Sequence, residues 1–212
     1  MSATRPGFFN ALPDFVFAGV FLVTWVAPLA LGDAMVKWLM LVMLMEFIVI
    51  HSAAFMGNVA LSQEGRAKRT FGILGLGAFY TVFAGGFSLA FHTWWPLVSF
   101  WGQTFNRLLG VIVGQVPGEE QKAFIQRGWA ASAVLYVLGV FATVLVPVPR
   151  LGITAAVVAG QHITGSGVWV EQPQKVIAFG ALYFSLMGWS ELHAHAWAGQ
   201  RKAIAPSGAP TN

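Results

Sequence analysis

The chain has 212 residues, 57% of them hydrophobic and only 9% charged, with a formal net charge of +4. Soluble domains carry about 25% charged residues, so this composition excludes an ordinary water-exposed domain and suits a surface solvated by hydrocarbon. Scattered Lys and Arg exclude a clustered nucleic-acid surface, and the absence of cysteine removes disulfides, thiolate metal sites and cysteine nucleophiles.

A membrane-crossing helix needs about 20 largely apolar residues. The first candidate, 15–31, follows Asp14, a residue placed to cap its start, and Pro28 is set to kink its far end. Arg5 before it and Ala30-Leu31-Gly32 behind it resemble a signal peptide, but the segment reads as a retained span. The second candidate, 36–61, follows so short a connection that the two are expected to form an antiparallel hairpin. A basic loop with Arg66, Lys68 and Arg69 comes next.

The third candidate, 71–91, ends at His92-Thr93-Trp94-Trp95-Pro96, the composition of an interfacial turn. The fourth, 97–114, contains Arg107 and a polar stripe of Ser99, Gln103, Asn106 and Gly110. It reads either as a short span with the stripe turned inward or as an amphipathic helix lying in the interface. The fifth, 129–146, ends at Pro147-Val148-Pro149-Arg150, and the sixth runs over 174–197. Between them the longest loop, 147–173, is a candidate for partial re-entry into the membrane. Residues 199–212 read as a disordered tail, which leaves 1–198 as one transmembrane domain.

Charge placement selects among the topologies, because Lys and Arg concentrate in cytoplasmic loops. Six spans with cytoplasmic termini put Arg5, Arg66, Lys68, Arg69, Lys122, Arg127, Arg201 and Lys202 inside, against Lys37, Arg150 and Lys175 outside. An interfacial fourth helix on the outside would add Arg107 to these charges and split them six against six. The expectation is an all-α, multi-pass bundle of six spans arranged as three hairpins, in a bacterial inner membrane. Small-residue stripes, Ala78, Thr81, Gly85 and Ser88 in the third span and Ala181, Ser185 and Gly188 in the sixth, are expected where helices meet.

An ionisable side chain at membrane depth costs a few kcal/mol, so each one needs a reason. Counting about 1.5 Å per residue from the outer helix ends places Glu46 and Arg107 level, as a buried ion pair. The same count brings His51 level with Glu191, and Glu191 and His195, four apart, share a helical face. His51, Glu191 and His195 therefore form a candidate site for a metal ion, a haem iron, a proton or a transported ion. An inert polar cluster explains the same residues.

No catalytic set is assigned. Gly165-Ser166-Gly167 lacks the first glycine of the Gly-x-Ser-Gly nucleophile pattern of rhomboid-type proteases, and five histidines cannot supply the boxes of membrane di-iron hydroxylases. Two classes of function stay open. One is a small transport or redox protein built on the Glu/His core. The other is a non-catalytic accessory subunit, with a membrane-protein partner or a second copy beside the bilayer lipid.

Overall fold

The computed structural model describes residues 8–114, 118–163 and 165–198, and the structure among them is entirely helical. The elements are α1 (Phe8–Val26), α2 (Met35–Leu61), α3 (Arg66–Ala90), α4 (Trp95–Val113), α5 (Glu119–Leu145), α6 (Ala155–Gly160), α7 (Val168–Glu171) and α8 (Pro173–Leu192), followed by a 3-10 turn over Ala196–Ala198. Four of them, α1, α2, α3 and α5, are long and apolar enough to cross a membrane. The expected tail, 199–212, lies outside the described residues.

Helix ends follow local chemistry. α1 stops at Val26, two residues before Pro28, because the residue preceding a proline is pushed out of the helical region. α4 opens on Pro96 in its first turn and closes on Gly114 in the left-handed conformation, φ 80°. α5 begins ten residues ahead of the expected boundary, with Glu119 and Glu120 in its first turn, where carboxylates favour the helix dipole. α2 ends beneath Arg69, whose Nη1 donates to the Ala60 carbonyl at 3.0 Å and caps an otherwise unpaired acceptor.

The helices form two cores that share α2. One contains α3 and α4 around Leu41, Ile48, Met56, Ile73, Tyr80, Phe100 and Val111. The other contains α1, α5 and α8 around Phe21, Met43, Tyr136, Ile177, Phe179 and Tyr183. Contacts fix the directions. Val59 meets Gly72, and Lys37 reaches the Phe91 ring, so α3 runs antiparallel to α2. Tyr80 packs on Phe100 and Gly77 lies beneath Trp101 and Thr104, so α4 returns along α3 until Gly114 reaches Arg66.

The three-hairpin arrangement is corrected at its first member. α1 touches α2 little and lies instead along α8, antiparallel, with Phe21 over Gly180 and Phe15 over Gly188. A Cβ at Gly180 would enter the Phe21 ring, so the absent side chain is what admits the close approach. α8 in turn runs antiparallel to α5, Phe179 occupying the space that Gly139 leaves. The small-residue stripe expected in α3 meets its packing face only at Ser88. Ala78 is exposed and a Cβ at Gly85 would meet nothing, while the buried side is Ile73, Gly77, Tyr80, Ala84 and Ser88.

The polar stripe of α4 is likewise displaced. Ser99 and Asn106 are exposed, because Phe100, Thr104, Leu108 and Val111 take the inward side. Thr104 tolerates that position by donating its hydroxyl to the Phe100 carbonyl at 2.9 Å.

Residues 147–163 and 165–172 form a strap across the end of the bundle where α1 stops and α2 begins. Trp25 Nε1 donates to the Pro149 carbonyl at 2.9 Å, and the Gly152 amide donates back to the Trp25 carbonyl at 3.1 Å. Gln161 binds the first turn of α2 twice: its Nε2 donates to the Asp33 carbonyl at 2.6 Å and its Oε1 accepts from the Lys37 amide at 3.1 Å. Trp169 anchors the remainder by donating to Thr143 Oγ1 at 3.3 Å.

Candidate functional site

The polar centre of the larger core is built on Glu46, nearly three turns into α2. The Tyr183 hydroxyl of α8 donates to Glu46 Oε1 at 2.7 Å. Tyr136 of α5 stands beside it, ring centroids 5.7 Å apart and nearly perpendicular, and donates its own hydroxyl to the Met43 carbonyl at 2.7 Å. Phe179 closes the cage, 5.2 Å from Tyr136 and 5.9 Å from Tyr183. Both tyrosines are buried, so their hydroxyls require these partners.

Two further carboxyls approach this centre from the opposite end to the strap. The antiparallel fit of α1 on α8 sets Asp14 near the last turn of α8, where it lies within electrostatic reach of Glu191 and Glu46. Among the described residues the carboxylate–cation pairs are Lys68–Glu64 and Lys122–Glu119, both outside this cluster. Three acids thus lead from mid-bundle to the end carrying Arg66, Lys68, Arg69 and Lys122, and no Lys or Arg among the described residues is bonded to any of them.

The residues singled out in the sequence are distributed differently. Glu46 and Arg107 are not a pair: Arg107 Nη1 reaches Met56 Sδ at 3.6 Å, as Thr104 does at 3.9 Å. Met56 lies about 15 Å further along α2 than Glu46. The level estimate assumed equal helix starts, whereas α4 enters the bundle deeper than α2. His51 donates from Nδ1 to the Phe47 carbonyl of its own helix at 2.8 Å and stacks on Phe47, its centroid 4.1 Å away.

Glu191 and His195 do not share a helical face, because α8 ends at Leu192. Ala194 and His195 adopt left-handed angles, φ 52° and 50°, and fold the chain back. His195 then packs against Phe124 and Gly128 of α5, with Nδ1 2.9 Å from Ser190 Oγ. Trp197 Nε1 donates to that same oxygen at 2.6 Å, which leaves the hydroxyl proton of Ser190 for the imidazole. Burial holds the His195 imidazole below its ordinary pKa, and the charge of Arg127 acts in the same direction. Exposed His193 donates to the Trp189 carbonyl at 2.7 Å.

Among the described residues no three His, Asp or Glu side chains gather to hold a metal ion, so His51, Glu191 and His195 do not form the ligand set expected of them. The sequence did not single out Tyr136 and Tyr183, and it read Asp14 as a helix cap and not as a member of this site. A signal for the tyrosines was present: the chain has only 3 Tyr beside 18 Phe, and a phenol within an apolar helix needs a partner.

Comparison with protein-family models, with curated proteins and with solved structures finds no match to this chain.

Proposed function

We propose that this chain is a six-span protein of a bacterial inner membrane that accepts and passes protons at Glu46, with Tyr183 as its hydrogen-bond partner and Asp14 and Glu191 as the approach from the cytoplasmic end. The observation carrying this reading is the Tyr183–Glu46 bond at mid-bundle, with two more carboxyls in electrostatic reach and no Lys or Arg among the described residues bonded to them. Carboxyls at membrane depth are neutralised by a proton or a cation. A proton is favoured over a metal ion, since among the described residues no group of three His, Asp or Glu gathers around these acids.

Six spans are supported by helix pairing. α4 runs back along α3, and α8 lies antiparallel to both α1 and α5. If α1, α3 and α5 cross, α4 and α8 cross with them. The orientation follows from the basic end of the bundle, taken as cytoplasmic, and all the spans then belong to one domain.

The test is proton flux. Purified protein in liposomes carrying a pH-sensitive dye should dissipate an imposed pH gradient, and Glu46→Gln should slow it at least about 10-fold, the scale for losing a positioned proton-transfer group. Flux no greater than that of protein-free vesicles, or an unaffected Glu46→Gln variant, would overturn the reading.

The outward Ser99 and Asn106 on α4 favour a second reading, an accessory subunit whose partner or second copy covers that face. Chemical cross-linking in native membranes, with Asn106→Leu weakening the product, tests it.

A further inference from the structure

The strap is held unevenly. Across residues 151–162 only Ile153 and Gln161 are buried, and α6 between them rests on the core through the partly buried Val157 and Val158. Segments with few buried contacts open at low free energy. The two attachments sit at opposite ends of the segment. Gly152 lies so close on α1 that a Cβ there would overlap the Val26 carbonyl, and Gln161 caps the first turn of α2 through both atoms of its amide.

Immediately outside each attachment stands a strained residue. Leu151 has φ 46° and His162 has φ 48°, a left-handed conformation that non-glycine residues rarely adopt. Strain in such pairs persists only where surrounding contacts impose it, and it collects at moving segments. Beyond His162 the chain is fixed again, through Trp169 on Thr143. The pattern is a short rigid unit latched at both ends and flanked by two sprung joints.

We propose that residues 152–161 are a gate over the strap end of the α1–α2–α5–α8 bundle, latched by Gln161 on α2 and Gly152 on α1 and hinged at Leu151 and His162. The inference rests on the reading of Glu46–Tyr183 as the site being closed. The fully buried Ile153 of this unit sits in the same core as Val36, Met40 and Met43. Lifting the unit withdraws the Ile153 side chain from that layer, the outermost step of an approach from the second membrane face. The three-acid approach serves the first face. One site with two separately controlled approaches is what directional transfer across a membrane requires.

The chain lacks cysteine, so a single introduced thiol reports cleanly. Ile153→Cys, in nanodiscs open on both faces, should react slowly with a hydrophilic maleimide. Adding Gln161→Ala should speed labelling about 10-fold, the scale of two lost hydrogen bonds. Val36→Cys beneath the gate provides a second reporter should Ile153→Cys fail to fold. Separately, a short reducible thiol bridge between Asp33→Cys and Gln161→Cys should stop proton flux, and reductant should restore it. Equal labelling rates with and without Gln161, in variants of unchanged thermal stability, would overturn the gate. So would undiminished flux through the bridged protein. Absent wild-type flux refutes the proton reading instead, and labelling alone then decides whether the gate exists.

Discussion

The Tyr183 hydroxyl and the Glu46 carboxylate meet at 2.7 Å between α8 and α2, and this bond joins α8 to the one helix that both cores share. Its removal exposes an asymmetry. Tyr183→Phe leaves a carboxyl in the core without its donor, whereas Glu46→Gln keeps an oxygen to accept from Tyr183. Tyr183→Phe is expected to lower stability by about 1–3 kcal/mol, the cost of an unsatisfied buried polar group. Glu46→Gln should cost less while losing flux. Thermal unfolding of both variants in one detergent checks the order.

The α1–α8 seam makes a steric prediction. Gly180→Val should drive a side chain into Phe21 and separate the helices, at a cost of about 1–3 kcal/mol or more, as overpacking in a filled core does. Gly19, which a Cβ would leave without contact, is the control. Equal melting temperatures for Gly180→Val and Gly19→Val would contradict the seam.

The turn after α8 should be sensitive to acid. The folded state holds His195 below its ordinary pKa, so the neutral form is favoured there. Its contribution is complete above the unfolded value of about 6.5 and declines as pH falls through the lower folded value. Protonation removes the Nδ1 acceptor from Ser190 and sets a second cation near Arg127. Hydrogen exchange of the 193–198 amides, corrected for intrinsic rates, should lose about 10-fold protection in acid. His195→Gln should abolish the dependence on pH. Constant protection down to pH 4.5 would count against it.

Orientation has its own measurement. In intact cells Lys122→Cys should resist a membrane-impermeant thiol reagent, and His162→Cys on the strap should react. The opposite result would invert the bundle.

What the sequence made legible was the apolar helices, because hydrophobic run length reports directly on the solvent a helix faces. α2 and α3 appear close to their expected limits. Side-chain partnership was less accessible. Asp14 has the composition of a helix cap, and only the extension of α1 back to Phe8 turns it into an acid within the helix. The depth of Arg107 depends on how far α4 slides along α3, which neither helix encodes alone. Glu191 and His195 satisfy a four-residue spacing that means nothing once the helix has stopped at Leu192. Short connections also misled: the tight turn between α1 and α2 brings their ends together, but the absence of side chains at Gly180 and Gly188 draws α1 to α8.

That last pairing has a consequence for biosynthesis. α1 is made well before α8, whose surface it packs on. At about 5–20 residues per second, α1 waits on the order of ten seconds with Phe21 and Asp14 still lacking their packing partner. The α1–α8 seam therefore closes only after α2, α3 and α4 have been made, as a late step that those helices cannot depend on.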